Sequence, residues 1–285
     1  MTGAMHVLVA GCGWLGTEIA RRAAARGDRV TAVRRDPSRA GALRESGLDV
    51  LCADLSAPGA AEVLPRADAI VACQAAAGDG VDAYRAAYLI VNERLLAVAS
   101  RWGARFVYTG STGVFGQRDG STVEEGTPPA PATASAEVLL QAEELVLSAA
   151  RTGVDASLVR LSGLYGPGRV GILERVRSGR LALGPGDDAW MSFCHRDDAA
   201  ELVLAALVRG ERGAVYHGSD AEPARRRDVV SWIAQALGIL PHREDAPWSG
   251  PNRRVSSVRT RSSLGVTLVY PSFREGLAPL LPVPP

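Results

Sequence analysis

The sequence lacks lysine entirely: all 32 basic side chains among its 285 residues are arginines. A chain without lysine has no amine for a Schiff base and no lysine for a phosphate-binding P-loop. It also has no ammonium group that lowers the pKa of a neighbouring phenol. Every mechanism that depends on a lysine is therefore excluded, whatever the fold.

Net charge, cysteine and long apolar runs are scarce as well. The formal net charge is only +1, so no broad basic surface for nucleic acid is expected. No apolar run approaches the ~20 residues of a membrane span, and no apolar leader precedes the first strand, so neither a membrane partner nor a signal peptide is expected. The four cysteines are scattered without a C-x-x-C pair and predict reduced thiols in a cytoplasmic protein. No cluster of Cys, His and Asp has metal-ligand spacing, so no metal site is predicted.

A glycine-rich turn near the N-terminus stands between two predicted strands. Residues 6–10 form an apolar run, residues 11–16 read Gly-Cys-Gly-Trp-Leu-Gly, a helical segment follows, and residues 30–33 form a second apolar run. A strand, a G-x-G-x-x-G turn, a helix and a strand in this order predict a βαβ unit that binds a dinucleotide. A glycine turn that merely packs well is the alternative.

Five residues of this turn are candidate cofactor ligands. Gly11 permits the tight turn, Gly13 lets a pyrophosphate approach the backbone, and Gly16 lets the helix pack against the sheet. Trp14 and Leu15 begin the helix, whose free N–H groups and positive dipole end would face the phosphates.

The residues after the second strand indicate which nicotinamide cofactor is used. An acidic residue about 20 positions after the turn holds the ribose 2′-hydroxyl of NAD, but Arg34 and Arg35 stand there instead. Two guanidinium groups suit a 2′-phosphate, which favours NADP (NADPH) over NAD. Asp36 is predicted to cap the next helix, with Pro37 in its first turn. Ordinary solvated surface is the alternative for both arginines.

Apolar and amphipathic segments alternate along the rest of the chain. Further strands are predicted at 48–53, 69–73, 105–109, 156–161 and 215–218. Helices are predicted at 38–46, 60–64, 84–101, 135–152, 172–178, 199–209 and 225–237, with Asp197 and Asp198 capping the helix at 199–209. This alternation predicts an α/β fold with a Rossmann-type doubly wound parallel sheet, whose strand carboxyl ends form one ligand-binding edge.

A smaller C-terminal lobe is expected beside the sheet. Residues 1–164 with 190–217 are predicted to form the dinucleotide-binding Rossmann domain, and residues 165–189 with 218–285 the smaller substrate lobe. Aromatic residues around Tyr165, Trp190 and Phe193 indicate a small-molecule substrate less polar than a sugar nucleotide.

Several motifs spread over nearly the whole chain share one resemblance. They are the glycine turn, Asp54-Leu55, Asn92, Phe-Val-Tyr-Thr-Gly-Ser at 106–111, Val-Phe-Gly at 114–116, residues 160–168, His-Arg-Asp-Asp at 195–198, and Tyr-Pro-Ser-Phe-Arg-Glu-Gly at 270–276. With these motifs the chain resembles extended short-chain dehydrogenases/reductases of the NAD-dependent epimerase/dehydratase type. The resemblance implies a Rossmann domain that holds the nicotinamide cofactor and a lobe that closes over the substrate.

The resemblance also implies roles for individual residues. It places Asp54 and Leu55 at the adenine, and Gln74 and Ala75 along the ribose and phosphate path. Ser111 and Thr112 match the position whose hydroxyl orients a substrate carbonyl or alcohol, and Leu164 belongs to the segment that flanks the nicotinamide. It further implies a homodimer contact through the helices at 84–101 and 135–152.

The chain departs from this family at its Tyr-x-x-x-Lys pair. That spacing puts a phenol and an ammonium on one helix face, where the ammonium lowers the pKa of the phenol and grips the nicotinamide ribose. Aligned through Ala142-Glu143, the two positions hold Ser135 and Leu139; a one-residue shift gives Ala136 and Leu140. Without lysine no realignment restores the pair.

Two residues are candidate substitutes for the missing proton donor. Tyr165 could reach a substrate from the sheet edge, or it is a rigid turn residue beside Pro167. His195 could donate a proton, or it is a buried histidine that ties the lobe to the sheet. Ser111 and Thr112 can orient a substrate without changing protonation.

The sequence thus favours an NADP-dependent oxidoreductase that reduces a small organic substrate at an atypical site. An activated acceptor, such as an iminium or a conjugated system, needs little acid assistance. A non-catalytic NADP(H)-binding or sensor protein is one alternative, since the usual proton-transfer pair is missing. A non-redox enzyme that performs an elimination or cyclisation on the same fold is the other.

Overall fold

The computed structural model describes residues 3–281, so the outermost residues of the two predicted units, 1–2 and 282–285, lie outside it. Its strands are β1 (His6–Ala10), β2 (Arg29–Arg34), β3 (Asp49–Cys52), β4 (Ala69–Ala72), β5 (Arg105–Ser111), β6 (Thr122–Val123), β7 (Ala156–Leu161), β8 (Gly163–Tyr165), β9 (Trp190–Met191), β10 (Phe193–His195), β11 (Val215–Gly218), β12 (Ala224–Arg225) and β13 (Arg254–Val255).

The described α-helices are α1 (Trp14–Ala25), α2 (Gly41–Glu45), α3 (Val81–Tyr84), α4 (Val91–Trp102), α5 (Ala134–Arg151), α6 (Gly171–Arg177), α7 (Arg196–Arg209), α8 (Arg226–Ala236), α9 (Val258–Leu264) and α10 (Phe273–Leu277). Single turns of 3-10 helix occupy Pro37–Arg39, Thr112–Val114 and Ala278–Leu280. A π-helical turn, Arg85–Ile90, joins α3 to α4.

Seven strands form one parallel sheet in the order β11-β7-β5-β4-β1-β2-β3. Val7 of β1 pairs with Val30 of β2 on one side and with Ala69 of β4 on the other. The central strands β4 and β7 are buried along their whole length, as parallel strands covered on both faces must be. The predicted α/β fold with a Rossmann-type doubly wound parallel sheet is confirmed.

Apolar side chains fill both faces of this sheet. On one face Ile19 of α1 and Leu202 of α7 are fully buried; on the other, Leu95 of α4 and Val146 of α5 are buried to the same degree. Each such side chain stabilises the fold by roughly 1.5–3 kcal/mol through the apolar surface it removes from water. The two helical layers fix the sheet and therefore the positions of its strand ends.

A separate apolar cluster joins α6, α8 and α10 beside the sheet. Its fully buried members include Val176, Val229, Ile233 and Phe273. These residues come from the segments assigned to the smaller lobe. Phe193 packs with them, although it lies in the range assigned to the Rossmann domain.

Two local predictions were wrong. Residues 60–64 form hydrogen-bonded turns rather than a helix: the N–H groups of Ala60 and Glu62 donate to the carbonyl oxygens of Ala57 and Gly59, three positions back, whereas an α-helix needs bonds to the fourth residue back. The helix predicted to follow Asp197 and Asp198 begins at Arg196, and His195 caps it by accepting the N–H of Asp197 on Nδ1 at 3.2 Å. Asp198 instead accepts the N–H groups of Val269 and Tyr270.

Asp36 behaves as predicted. Its carboxylate accepts the N–H of Ser38 at 2.9 Å, with Pro37 at the first position of the 3-10 turn. None of the helices within residues 3–281 combines the length and the apolarity that crossing a membrane requires.

Candidate functional site

An open cleft of about 720 Å³ lies at the carboxyl ends of the sheet strands. It crosses the sheet at β1, where the strand order reverses and where doubly wound sheets bind their ligands. Every residue predicted to contact the cofactor lines this cleft: Gly11, Gly13, Trp14, Leu15, Gly16, Arg34, Arg35, Asp54, Leu55, Gln74, Ala75, Ser111 and Leu164.

The glycine turn is packed tightly at two positions and open at the third. Gly11 has a φ of +87°, and a Cβ there would lie 2.3 Å from the Cα of Gln74. A Cβ on Gly16 would lie 2.5 Å from the carbonyl oxygen of Gly11. A Cβ on Gly13 would meet nothing nearer than 3.9 Å. Packing thus explains Gly11 and Gly16, whereas Gly13 leaves open space beside the backbone.

The N-terminus of α1 faces this open space without a side-chain cap. The N-cap residue is Gly13, which has no side chain that could accept a hydrogen bond from the helix. The first N–H groups of a helix lack intrahelical partners and carry the positive end of the helix dipole. Trp14 and Leu15 therefore offer an anion site to the cleft.

Arg34 lies against the same turn. Its Nη1 donates to the carbonyl oxygen of Cys12 at 2.7 Å, and its buried Nε has no hydrogen-bond partner among the described residues. Arg35 beside it is exposed and lines the cleft. The carboxylate of Asp36 accepts from both the N–H and the hydroxyl of Ser38. The end of β2 thus presents cations to the cleft.

The next two strand ends are held by polar contacts. Asp54 accepts the N–H and the hydroxyl of Ser56, and these bonds lower the pKa of its carboxyl. At β4, Nε2 of Gln74 donates to Oδ1 of Asn92 at 2.9 Å. Asn92 is fully buried, so it fixes the Gln74 amide against the cleft. No role for Asn92 could be predicted from the sequence, because this contact joins residues 18 positions apart.

The two candidate hydroxyls, those of Ser111 and Thr112, lie at the end of β5 and make different hydrogen bonds. Ser111 accepts the N–H of Gly113 at 3.0 Å, and its own O–H donates to none of the described residues, which leaves it for a ligand. The buried Thr112 hydroxyl donates to the carbonyl oxygen of Leu161 at 3.4 Å, so it is committed to the protein. Leu139 of α5 aligns with the lysine of the family's Tyr-x-x-x-Lys pair, and it lines the cleft with an apolar side chain.

The contacts of Tyr165 are those expected of the structural alternative, although Tyr165 also lines a second cavity that adjoins the cleft. It is 3% exposed and donates its hydroxyl to the carbonyl oxygen of Ser272 at 3.3 Å. A Cβ on Gly276 would lie 2.1 Å from that hydroxyl oxygen. Burial also raises the pKa of the phenol above its ordinary value. The phenol is therefore turned into the core and away from the cleft.

His195 also takes the structural alternative. It is 1% exposed, caps α7 and stacks on Tyr270 with ring centroids 3.8 Å apart. Burial lowers its pKa, which keeps the imidazole neutral. His195 does not line the cleft, so it is a buried histidine that ties the tail to α7.

The two thiols beside the glycine turn are not nucleophiles. Burial raises the pKa of Cys73 to about 12 and raises that of Cys12 as well. Both are protonated at neutral pH, and a thiol attacks only as a thiolate. No group of three or more His, Cys, Asp and Glu within residues 3–281 is arranged to hold a metal ion.

One further contact joins the glycine turn to the segment after β8. The indole N–H of Trp14 donates to the carbonyl oxygen of Pro167 at 2.7 Å, and the Arg169 guanidinium lies 5.4 Å from the Trp14 ring. Trp14 and Pro167 are 153 positions apart, which explains why the sequence pattern did not reveal this contact. Trp14 and Arg169 both line the cleft.

Comparison with known proteins gives consistent matches. The model of the NAD dependent epimerase/dehydratase family matches residues 7–217. Protein YeeZ of Escherichia coli K12 is 30% identical over 283 residues, covering 93% of this chain and 96% of YeeZ. The 3-diazoavenalumate denitrifying reductase of a Streptomyces species is 30% identical over 305 residues, covering 96% and 99%. A solved structure of a proposed NAD-dependent epimerase/dehydratase from Methylobacillus flagellatus is 28% identical, with a TM-score of 0.79 and 98% of each chain covered.

Proposed function

The chain belongs to the NAD-dependent epimerase/dehydratase family, as its motifs predicted, and from this premise we propose that it is an NADP-dependent reductase of a small organic substrate. Its membership agrees with the predicted oxidoreductase of the short-chain dehydrogenase/reductase type. The Streptomyces relative is a reductase by name. The observation that carries the proposal is the cleft at the sheet edge, with an uncapped helix N-terminus and two arginines at its rim.

The cleft fits a pyrophosphate on steric grounds. A Cβ on Gly13 would have its nearest protein atom 3.9 Å away, so the space beside Gly13 is open. The first N–H groups of α1, which no side chain caps, face this space. In the proposal Trp14 and Leu15 hold the phosphates, Gln74 and Ala75 line the path to the nicotinamide, and Asp54 and Leu55 adjoin the adenine.

The preference for NADP rests on Arg34 and Arg35. A guanidinium binds a phosphate through parallel charge-assisted hydrogen bonds. The buried Nε of Arg34 has no protein acceptor among the described residues, and a 2′-phosphate oxygen would supply one. Asp36 also lines the cleft, but both bonds from Ser38 go to its Oδ1, so the preference rests on the two arginines and not on the absence of a carboxylate.

The atypical part of the site is its proton supply. When bound, NADPH supplies a hydride. Ser111 is then the residue that orients the acceptor, because its O–H is free and it lines the cleft. The apolar Leu139 offers no charge that would activate a phenol. We therefore propose an acceptor that is already activated, an iminium or a conjugated system, with the proton taken from solvent.

A titration of the purified protein with NADPH and NADH, followed by nicotinamide fluorescence, tests the cofactor assignment. NADPH is expected to bind more tightly than NADH. Binding of neither nucleotide would overturn the proposal. NADPH oxidation in the presence of carbonyl, imine or enoyl substrates then tests turnover.

A non-catalytic NADP(H)-binding protein is the second candidate, because Leu139 stands where the family needs an ammonium group. NADPH binding without oxidation of the nucleotide on any of the three substrate types would favour it. Turnover that persists after the nucleotide has been removed would instead favour a non-redox enzyme.

The predicted division into a Rossmann domain and a smaller lobe is retained as part of the proposal. The separate apolar cluster around Phe273 supports it. A homodimer and a cytoplasmic location are proposed with it, the latter because all four cysteines are unpaired. Sedimentation of the purified protein tests the dimer.

A further inference from the structure

A second cavity, of about 440 Å³, adjoins the nucleotide cleft. We call it the side chamber. Thr112, Gly163, Leu164 and Arg169 line both the cleft and the side chamber, so the two spaces share a wall. A volume of several hundred Å³ is ordinary for a small-molecule site. The proposed reductase therefore has room for its substrate next to the place proposed for its nicotinamide.

Large apolar side chains form most of the chamber wall. Trp190, Phe193 and Trp248 provide aromatic rings beside that of Tyr165, and the apolar side chains Ile172, Met191 and Val255 also line the chamber. Of the three hydroxyl side chains of the wall, Thr112 donates to the carbonyl oxygen of Leu161 and Tyr165 to that of Ser272, whereas Ser192 accepts the N–H of Val255 and keeps its own O–H. Such a wall suits a flat apolar ring and offers few partners to the hydroxyl groups of a sugar.

The tryptophans are held rigidly. Two guanidinium groups contact the Trp190 ring, with Arg225 4.4 Å and Arg254 5.3 Å from its centroid. The indole N–H of Trp248 donates to the carbonyl oxygen of Pro251 at 3.0 Å, and its ring covers Gly250 so closely that a Cβ there would lie 2.1 Å away. Rings fixed in this way form a preorganised surface.

Three arginines in the same wall carry charge that the protein does not neutralise. Within residues 3–281, Arg169, Arg175 and Arg253 make no ion pair, and no Asp or Glu lines the chamber. Other arginines nearby are neutralised by carboxylates: Arg226 pairs with Glu244, and Arg227 pairs with Asp188. The unpaired arginines give the chamber a positive potential.

Arg253 lines the side chamber and contacts Thr112, a residue of the wall that the chamber shares with the cleft. Its Nη2 donates to the carbonyl oxygen of Thr112 at 2.7 Å, which fixes the guanidinium beside Ser111. Its Nε is buried and has no partner among the described residues. Burial lowers the pKa of this guanidinium, so its charge lacks the stabilisation that water or a counter-ion gives. A bound anion would supply that stabilisation.

We propose that the side chamber binds a flat aromatic or conjugated carboxylate, with its ring against Trp190, Phe193 and Trp248 and its carboxylate on Arg253. This assignment of a substrate class rests on the proposed function. It distinguishes the chain from a protein that binds sugar nucleotides in the same place. The carboxylate would lie near the wall shared with the cleft, and the conjugated system would extend toward Ser111.

Calorimetric titration of the intact chain with cinnamate and with cinnamamide tests the proposal. The two probes have the same shape and differ in charge. Cinnamate is expected to bind at least about tenfold more tightly, the factor that one charge-assisted hydrogen bond supplies. Equal binding of the two probes, or no binding of cinnamate up to about 1 mM, overturns the proposal. Binding of UDP-glucose but not of cinnamate overturns it as well.

Two variants test whether the guanidinium of Arg253 is the group that binds the carboxylate. Arg253→Gln is expected to remove the preference for the acid over the amide, whereas Arg259→Gln, an exposed arginine outside the chamber, is expected to keep it. A preference that survives in Arg253→Gln overturns the assignment to Arg253. The comparison of the two probes on the unaltered chain needs no variant to fold.

A parallel NADPH titration separates this proposal from the proposed function. If NADPH binds and the two probes bind equally, the substrate class is wrong and the reductase proposal stands. If cinnamate is preferred but neither nicotinamide nucleotide binds, the chamber is an aromatic-acid site and the reductase proposal fails.

Discussion

Nη1 of Arg34 donates a hydrogen bond of 2.7 Å to the carbonyl oxygen of Cys12, joining the end of β2 to the middle of the glycine turn. The bond holds the guanidinium beside the uncapped N-terminus of α1. Nε of the same group is buried without a protein partner among the described residues. Two features that bind anions, a helix terminus and a fixed cation, thus meet at one point.

Arg34→Asp is expected to weaken NADPH binding by about ten- to a hundredfold, the loss that charge-assisted hydrogen bonds to a phosphate imply. NADH binding is expected to change much less, because NADH has no 2′-phosphate. Paired fluorescence titrations measure both nucleotides. Arg66→Asp makes the same charge change at an exposed position outside the cleft and serves as the control. Equal losses for NADPH and NADH would mean that Arg34 only shapes the turn.

Gly13→Ala is expected to separate binding from stability. Its Cβ has no protein atom nearer than 3.9 Å, so the free energy of unfolding should change by less than about 1 kcal/mol. The same methyl group occupies the space proposed for the pyrophosphate, so NADPH binding should fall at least tenfold, or by about 1.4 kcal/mol. Urea denaturation of the nucleotide-free protein and an NADPH titration measure the two effects.

Gly16→Ala is the matched comparison. Its Cβ would lie 2.5 Å from the carbonyl oxygen of Gly11, so both stability and binding should fall. If Gly13→Ala binds NADPH like the unaltered chain, the open space beside Gly13 does not hold a phosphate.

The sheet and the cleft residues could be predicted because their signals are local. Alternation of apolar strands with amphipathic helices predicts a parallel sheet, and a parallel sheet brings its strand ends to one edge. Asp36 before Pro37 predicts a cap in the same way, and the structure confirms it. In each case a few neighbouring residues determine the outcome.

The polar contacts that decide the chemistry could not be predicted because they are not local. Tyr165 donates to Ser272, which is 107 residues away, and Arg253 donates to Thr112 across 141 residues. A motif shows that a phenol or a guanidinium is present but not where it points. For this reason the sequence makes Tyr165 and His195 candidate proton donors and contains no signal that singles out Arg253.

Glu143→Gln is expected to destabilise the fold by about 3–5 kcal/mol. The carboxylate of Glu143 accepts from Nε and Nη2 of Arg160, and the side chains are only 1% and 4% exposed. Removing its charge leaves a buried guanidinium unpaired. Urea denaturation at neutral pH measures the loss. Glu174→Gln, which breaks an exposed pair with Arg177, should cost less than about 1 kcal/mol.

The double variant Glu143→Leu with Arg160→Met tests the physical cause. Replacing a buried ion pair with apolar side chains often restores stability, since neither charge must then be removed from water. We expect the double variant to be more stable than Glu143→Gln. A loss equal to that of Glu143→Gln would mean that packing rather than the unpaired charge sets the cost.

His217 should make the stability depend on pH. It is fully buried, its Nδ1 donates to the carbonyl oxygen of Ser256 at 3.0 Å, and its Nε2 has no partner among the described residues. Burial lowers its pKa to about 4, outweighing the smaller opposing effect of Glu125, while Arg160 lowers it further.

An unfolded histidine titrates near 6.5, so between about 4 and 6.5 the unfolded chain binds a proton that the folded chain does not. The contribution of His217 to stability is therefore present above pH 6.5 and is lost as the pH falls toward 4. Between pH 7 and pH 5 the unaltered chain should lose about 2 kcal/mol more than His217→Asn, which keeps a donor for Ser256 but does not titrate. Urea denaturation at both pH values measures this difference. Parallel curves for the unaltered chain and His217→Asn would show that His217 is protonated without cost.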